Sequence, residues 1–299
     1  MAGVNVVSAK SPKRASSFFQ RVGSILIPLP LVVGLAYWGI WPFTLLAIAA
    51  VTTCLIELYS GFQQAGHRPR VWLGLASGAT FCLAAVLQAS LTFDLTGAAL
   101  CLLILFSLST ELIYADHETG VANWALTFAG ACYIGWLMSH YLLLRNLRLP
   151  LHDSWLAALH IPPGAAWVYL VLLITWFQDT TAYLVGKTWG RHKMSPFISP
   201  KKTWEGAAGG SLASVAGALL AIPLFGLPIS YGAAALLGLA ASIAGPMGDL
   251  AESIIKRRLG LKDMGNFMPG HGGLLDRVDS MLFTAPTLYY LILLLTSLP

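Results

Sequence analysis

The chain has 299 residues, of which 57% are hydrophobic and 10% charged, and its formal net charge is +5. Soluble globular proteins carry about 25% charged residues, so this composition and a mean hydropathy of +0.71 exclude an ordinary soluble enzyme and predict an integral membrane protein. The four cysteines lie singly in apolar segments, which argues against a disulfide framework or a zinc site. We also expect no nucleic-acid partner.

The chain begins with a polar, basic stretch, residues 1–21, that we interpret as a cytoplasmic tail because no small-residue cleavage site follows the first apolar run. Nine mainly apolar windows come next, each close to the roughly 20 residues that cross a bilayer. They are 22–40, 42–61, 71–90, 96–115, 123–144, 163–186, 207–226, 230–258 and 280–298. The sequence therefore predicts an all-α polytopic membrane protein with about nine transmembrane helices.

The eighth window is too long for one straight span and contains Gly245-Pro246. Proline removes a backbone hydrogen-bond donor, and its ring clashes with the preceding turn of a helix. We therefore predict a kinked or broken helix near Gly245-Pro246.

The distribution of Lys and Arg sets the expected orientation, because cytoplasmic loops of membrane proteins are enriched in them. With nine spans and a cytoplasmic N-terminus, every Lys and Arg except Arg145 and Arg148 falls on the cytoplasmic side. Just over half of the acidic residues lie from Asp179 onward. We therefore divide the chain into the tail 1–21, scaffold helices over 22–160 and a catalytic region over 161–299. Glu57 and Glu111 are interpreted as packing or pairing residues.

The sixth window holds Asp179, and an acidic residue at membrane depth is a candidate functional residue. The loop that follows ends in Ser-Pro-Lys-Lys-Thr, which predicts a turn into a helix capped by Ser199 or Thr203. Beside Lys201 and Lys202, such a helix N-terminus is an anion-binding site. The alternative is a capped interfacial helix whose lysines extend to the headgroups.

Carboxylates recur at helical spacing near the end of the chain. Asp249 and Ser253 are four residues apart, and Asp276 and Asp279 are three apart, so each pair shares a helix face. Buried carboxylates need cations. Either they pair with nearby Lys and Arg, or Asp249 and Asp276 converge on Mg²⁺, which proteins hold with one or two carboxylates plus substrate phosphates.

Basic residues on two loops predict one positive surface. They are Lys187, Arg191, Lys201, Lys202, Lys256, Arg257, Lys262 and Arg277. This surface is either ordinary positive-inside charge, attracted to acidic headgroups, or a polyphosphate site, and the interleaved acids favour the second interpretation. Glycines flanking His271 let backbone amides approach an anion closely, which gives His271 a phosphate-contacting, proton-handling or structural role.

These residues together resemble the signature of the phosphatidate cytidylyltransferases, also called CDP-diacylglycerol synthases. The resemblance rests on Ser253-x-x-Lys256-Arg257, Lys262-Asp263, Pro269-x-His271-Gly272-Gly273-x-x-Asp276-Arg277-x-Asp279, Ser199-Pro200-Lys201-Lys202-Thr203-x-Glu205-Gly206 and Asp179-x-x-Ala182-Tyr183. It covers residues 176–281, whereas the first 160 residues resemble the family only in being hydrophobic spans.

The resemblance implies transfer of the cytidylyl group of CTP to phosphatidic acid, giving CDP-diacylglycerol and pyrophosphate, with Mg²⁺ bound by Asp249 and Asp276 and K⁺ as a possible second cation. It implies catalytic positions at Lys256, Arg257, Lys262, Asp263, His271, Arg277 and Asp279. It implies substrate-binding positions at Asp179, Ser199, Lys201, Lys202, Thr203, Glu205, Ser253, Gly272 and Gly273. The expected setting is a bacterial-type inner membrane with the site facing the cytoplasm, and a homodimer stays open.

Three alternatives remain at this point. A CTP-dependent lipid kinase or a cytidylyltransferase for another lipid phosphate would use the same kinds of residue. An anion transporter is less favoured, because transporters commonly contain paired broken helices and place their sites at the midplane. Here one break is predicted, and the charges gather on one side.

Overall fold

The fold is a bundle of long helices, described by a computed structural model over residues 28–114, 120–265 and 272–297. The helices are α1 Pro28–Trp38, α2 Ile40–Gln64, α3 Val71–Leu87, α4 Leu95–Tyr114, α5 Gly120–Arg145, α6 Pro163–Thr188, α7 Trp204–Phe225, α8 Tyr231–Arg258 and α9 Leu275–Ser297. Seven are long and apolar enough to cross a membrane, and α1 and α4 contain shorter apolar helices.

Each of the nine predicted windows corresponds to one of these helices, so the polytopic helical fold is confirmed. The tail 1–21 and the start of the first window lie outside the described residues.

Local sequence sets several of the helix ends. Pro163 occupies the first turn of α6, where its missing N–H is not needed. The Ser230 side chain caps α8 by accepting a hydrogen bond from the Ala233 amide at 3.1 Å. Gly226 ends α7 in the left-handed region, with φ +69°, which glycine adopts without steric cost.

The C-terminal half packs α6 against α7 and α8 against both α7 and α9. Small residues allow these helices to approach closely. The Ser214 hydroxyl of α7 donates to the Gly238 carbonyl of α8 at 2.7 Å, and a Cβ at Gly238 would lie only 2.6 Å from the Val215 Cα. The hydrophobic effect does not drive helices together in lipid, so close contacts of this kind stabilise the bundle instead.

The fold also contains a small antiparallel hairpin that the all-α prediction omitted. Strand β1 Lys193–Ser195 pairs with β2 Ser199–Thr203, and the Trp204 amide donates to the His192 carbonyl at 3.0 Å. The predicted turn over 199–203 is therefore a strand, because pairing satisfies backbone groups that would otherwise lack partners. Of the two predicted caps, Thr203 is confirmed, since its Oγ1 accepts a hydrogen bond from the Gly206 amide, whereas Ser199 begins β2.

The predicted break at Gly245-Pro246 is wrong, because α8 runs without interruption through Pro246. A proline at 246 leaves the carbonyl of Ser242 without its usual donor four residues on. The buried Gln178 side chain of α6 replaces that donor, with Nε2 3.2 Å from the Ser242 oxygen. A neighbouring helix thus satisfies the freed carbonyl and keeps α8 helical.

Candidate active site

The first feature of the site is a cluster of three aspartates, Asp179 on α6, Asp249 on α8 and Asp279 on α9, which we call the aspartate cluster. The charges of Asp249 and Asp179 act on Asp279, and that of Asp249 acts on Asp179. Gly248 allows α8 and α9 to meet here, since a Cβ at 248 would lie 2.5 Å from the Asp279 carbonyl oxygen.

Asp249 is partly accessible, with 34% of its side chain exposed, and both of its carboxylate oxygens have partners. Its Oδ2 lies 2.9 Å from Nζ of Lys202, and its Oδ1 accepts a hydrogen bond from the Ser253 hydroxyl at 3.3 Å. Lys202 also donates to the Pro246 carbonyl at 3.2 Å, which fixes its ammonium group beside α8. The contact between Asp249 and Ser253 agrees with their helical spacing. The other partner, Lys202, belongs to β2.

The second feature is a buried network around Lys256, formed by Glu252, Lys256 and Asp276, which we call the Lys256 network. Nζ of Lys256 lies 2.6 Å from Glu252 Oε2 and 2.6 Å from Asp276 Oδ1. The exposed fractions are 11% for the Lys256 side chain, 0% for Glu252 and 8% for Asp276. Asp276 Oδ2 accepts backbone hydrogen bonds from Gly273 at 2.8 Å and Met264 at 3.0 Å.

The network therefore holds Met264 and Gly273, which precede α9, as well as the two helices. Gly272 has a φ of +83°, a conformation suited to glycine, and the Gly273 amide binds the Asp276 carboxylate. In the described part of the glycine motif, the backbone therefore binds an anion of the protein itself, the Asp276 carboxylate. His271 lies outside the described residues.

Glu57 of α2 binds the start of α9, next to the Lys256 network, a contact that the sequence did not predict. Its Oε1 and Oε2 accept hydrogen bonds from the backbone amides of Leu274 and Leu275, each at 2.9 Å. A carboxylate at the first amides of a helix is favoured by their unpaired N–H groups and by the helix dipole. A Cβ at Gly265 or Gly273 would lie within 2.6 Å of this carboxylate. Among the described residues, Glu57 is thus a buried packing residue that binds backbone amides, whereas Glu111 pairs with Arg70 at 3.3 Å.

Glu205, for which substrate binding stays a prediction, holds the hairpin to the start of α7. It accepts hydrogen bonds from the Arg191 and His192 amides at 3.1–3.2 Å, and Nδ1 of His192 lies 2.6 Å from Oε1. The hairpin thereby presents Lys201, which is exposed, and Lys202 at the end of the bundle where the aspartates lie.

The other predicted site residues within the described ranges lie on β2, in or just after the last turns of α8, or at the start of α9. Exposed members are Arg257, Lys262, Asp263 and Arg277, while Ser199 is half-buried and Ser253 is buried. Arg257 donates to the Leu261 carbonyl at 3.3 Å. Of the predicted basic surface, Lys202 and Lys256 contact aspartates directly, at Asp249 and Asp276.

Two further residues of this region lacked a functional prediction. Glu252 had a readable signal, because Glu252 and Lys256 have the i, i+4 spacing of a helical ion pair. Tyr133 had none. It lies in a π-helical segment of α5, Ala131–Trp136, its hydroxyl is buried with no hydrogen-bond partner among the described residues, and the charges of Asp249 and Asp279 act on it. π-helical segments are frequent at functional sites.

The donor set of the aspartate cluster fits a hard cation such as Mg²⁺, because carboxylate oxygens outnumber the one lysine ammonium paired to them. Within the described ranges, no three acidic, His or Cys side chains converge tightly enough to hold an ion alone. A metal here therefore requires oxygen atoms from outside the protein, and substrate phosphates supply these in many Mg²⁺ enzymes.

The chain is similar to known proteins over most of its length. The model of the cytidylyltransferase family matches residues 19–295. A protein of Synechocystis sp. named phosphatidate cytidylyltransferase is 35% identical over 92% of this chain and 97% of its own length. Proteins of the same name are 36% identical in Bacillus subtilis, over 66% of each chain, and 45% identical in Brucella abortus, over 43% of this chain and 47% of that protein.

Proposed function

The chain belongs to the cytidylyltransferase family, and from this premise we propose that it is an integral membrane phosphatidate cytidylyltransferase. It transfers the cytidylyl group of CTP to phosphatidic acid, which gives CDP-diacylglycerol and pyrophosphate. Within this family, the observation that carries the assignment is the pairing of the partly exposed Asp249 with Lys202, 2.9 Å apart, at the end of the bundle rich in basic residues.

The reaction needs no nucleophile from the protein, because the lipid phosphate is itself one. An oxygen of that phosphate attacks the α-phosphorus of CTP, and the bond to the β-phosphate breaks as pyrophosphate leaves. Catalysis then consists of holding two anions in line and offsetting their charge. Lys202 and the neighbouring Lys201 are suited to bind these phosphates, since the hydrogen bond to the Pro246 carbonyl holds the Lys202 ammonium in place.

We further propose that Asp249 and Asp276 hold Mg²⁺ together with the substrate phosphates, and K⁺ stays a prediction for a second cation. Bound there, a divalent ion would polarise the attacked phosphoryl group and reduce the repulsion between the two substrates. The exposure of Asp249 supports its part. The Lys256 ammonium lies at Oδ1 of Asp276. This contact supports a role for Lys256 in balancing the charge of the Asp276 carboxylate and in positioning it.

We propose that the site faces the cytoplasm across a bacterial-type inner membrane, where CTP is available. Of the basic residues in the described parts of the chain, only Arg145 and Arg148 lie at the end of the bundle opposite the aspartates, and this asymmetry supports the orientation. A homodimer stays a prediction, which native mass spectrometry of the detergent-solubilised protein tests directly.

The decisive experiment incubates the purified protein with phosphatidic acid and CTP labelled at the α-phosphorus, with and without Mg²⁺. We expect label in a lipid product and release of pyrophosphate, both dependent on Mg²⁺. Unlabelled lipid under every condition would contradict the proposal. A CTP-dependent kinase would give CDP and an unlabelled phosphorylated lipid, so the same assay separates that alternative.

A further inference from the structure

The end of the bundle opposite the aspartates contains a cavity with two arginines that the proposed reaction does not use. The cavity has a volume of about 300 Å³ and is lined by Ile40, the segment 145–148, Pro163 and Gly164. In the orientation proposed above, this end faces away from the cytoplasm, where arginines are disfavoured. Arg145 and Arg148 therefore require an explanation other than topology.

The two arginines have donors to spare. Nε of Arg145 donates to the Ala36 carbonyl at the end of α1 at 2.6 Å, and within the described ranges its Nη groups have no acceptor. The Arg148 side chain is exposed and has no hydrogen-bond or ion-pair partner there either. Guanidinium groups bind phosphate oxygens through paired, charge-assisted hydrogen bonds. The cavity is thus suited to a phosphate group.

An apolar groove of about 420 Å³ lies beside this cavity, between α1, the segment before α6 and the outer half of α6. Its lining includes Gly34, Tyr37, Leu159, Tyr169 and Trp176. Both tyrosine hydroxyls are already used by the protein, because Tyr37 donates to the Leu159 carbonyl and Tyr169 to the Val33 carbonyl. The groove therefore offers a ligand almost no hydrogen bonds.

The cavity and the groove share one wall. Arg145 holds Ala36, which lies between two groove-lining residues of α1, Gly34 and Tyr37. The charge of Arg145 also acts on Tyr169, in the groove wall on α6. A cationic cavity thus adjoins an apolar groove at one end of the bundle.

We propose that this composite site binds an anionic phospholipid of the leaflet opposite the aspartates, with its phosphate at Arg145 and Arg148 and an acyl chain in the groove. The dimensions agree. From Gly164 to Trp176 the helix rises about 18 Å, close to the roughly 15 Å of one leaflet's hydrocarbon.

The binding test uses native mass spectrometry with phosphatidylglycerol, which is not a substrate of the proposed reaction. Phosphatidylcholine and glycerol phosphate provide the zwitterionic and chain-free comparisons. We expect the wild-type chain to retain phosphatidylglycerol and neither comparison. Arg148→Gln should weaken this binding about tenfold, and Arg148→Lys should keep most of it. Arg68→Gln, another exposed arginine at the opposite end, is the matched control and should bind like wild type.

A second variant tests the groove without disturbing the arginines. A Cβ at Gly34 would have no atom within 4 Å, so Gly34→Leu fills the groove without a backbone clash. We expect it to lower phosphatidylglycerol binding and to leave the rate of CDP-diacylglycerol synthesis unchanged. Equal phosphatidylglycerol binding by wild type, Arg148→Gln and Gly34→Leu would overturn the proposal. So would a raised KM for phosphatidic acid with unchanged phosphatidylglycerol binding, because the groove would then hold the substrate's own chain.

Discussion

Asp249 and Asp276 lie at the same end of the bundle, but the surroundings of the two carboxylates differ. Asp249 is one-third exposed, and among the described residues each of its oxygens has a single partner, Lys202 or Ser253. Asp276 is nearly buried, with a lysine on one oxygen and two backbone amides on the other. Asp249 therefore keeps more spare acceptor capacity for an incoming cation, whereas Asp276, with three bonds already made, also fixes the chain and helices around it. The comparison teaches that two acids of one motif contribute to one site in different ways.

The largest expected effect comes from removing the charge of Asp249. Asp249→Asn keeps the shape of the side chain but weakens its attraction for a metal ion, so kcat should fall at least about 10³-fold. Thermal unfolding in detergent should change little, because the residue is partly exposed. Asp153→Asn, an exposed aspartate at the opposite end, should leave both quantities unchanged. Wild-type turnover by Asp249→Asn would remove Asp249 from the chemistry.

The next effect separates the Lys256 network from the aspartate cluster. Lys256→Met leaves the buried carboxylates of Glu252 and Asp276 without their cation, which should lower the free energy of unfolding by about 3 kcal/mol. Chemical unfolding in micelles measures this loss. Lys262→Met, an exposed lysine, is the stability control. Adding Glu252→Gln to Lys256→Met should restore part of the loss. Unchanged stability in Lys256→Met would contradict the structural role given to the network.

A smaller effect tests the contact between α2 and the start of α9. Glu57→Gln replaces one of two charge-assisted acceptors of the Leu274 and Leu275 amides, so the free energy of unfolding should fall by about 1.5 kcal/mol. Glu111→Gln removes only a partly exposed pair with Arg70 and should cost less than about 1 kcal/mol. If the two variants lose equal stability, Glu57 has no special role in holding the loop.

The smallest effect sharpens the contrast between Lys202, held by Asp249, and the exposed Lys201. Lys201→Ala should raise KM for CTP by about threefold while kcat changes little, because a solvent-exposed charge contributes modestly. The difference from wild type should shrink as salt is added. Lys193→Ala, on the neighbouring strand, should have no measurable effect. A large fall in kcat for Lys201→Ala would place this lysine in the chemistry as well.

Much of this structure could be predicted from sequence because its causes are local. Nine apolar windows correspond to nine helices, the spacing of Asp249 and Ser253 predicts their contact, and Thr203 was one of two predicted helix caps. The pair formed by Glu252 and Lys256 was equally local in character, and the same helical spacing would have identified it.

The remaining features depend on contacts between distant parts of the chain. Glu57 lies more than 200 residues before the amides that it binds, and no periodicity within α2 indicates that partner. The continuity of α8 at Pro246 depends on Gln178, a donor from another helix. The hairpin was missed because Lys-rich and proline-containing segments have low strand propensity, which pairing near the membrane surface overrides.

The bond from Glu57 to the start of α9 also bears on how the chain matures. Translation delivers the carboxylate long before the two amides that it caps, so the loop before α9 can reach its final form only after the last helix has been inserted. We therefore expect residues 161–299, produced alone, to lack activity, and co-production of residues 1–160 as a separate polypeptide to restore it. Activity in the isolated C-terminal fragment would show that the early helices are dispensable.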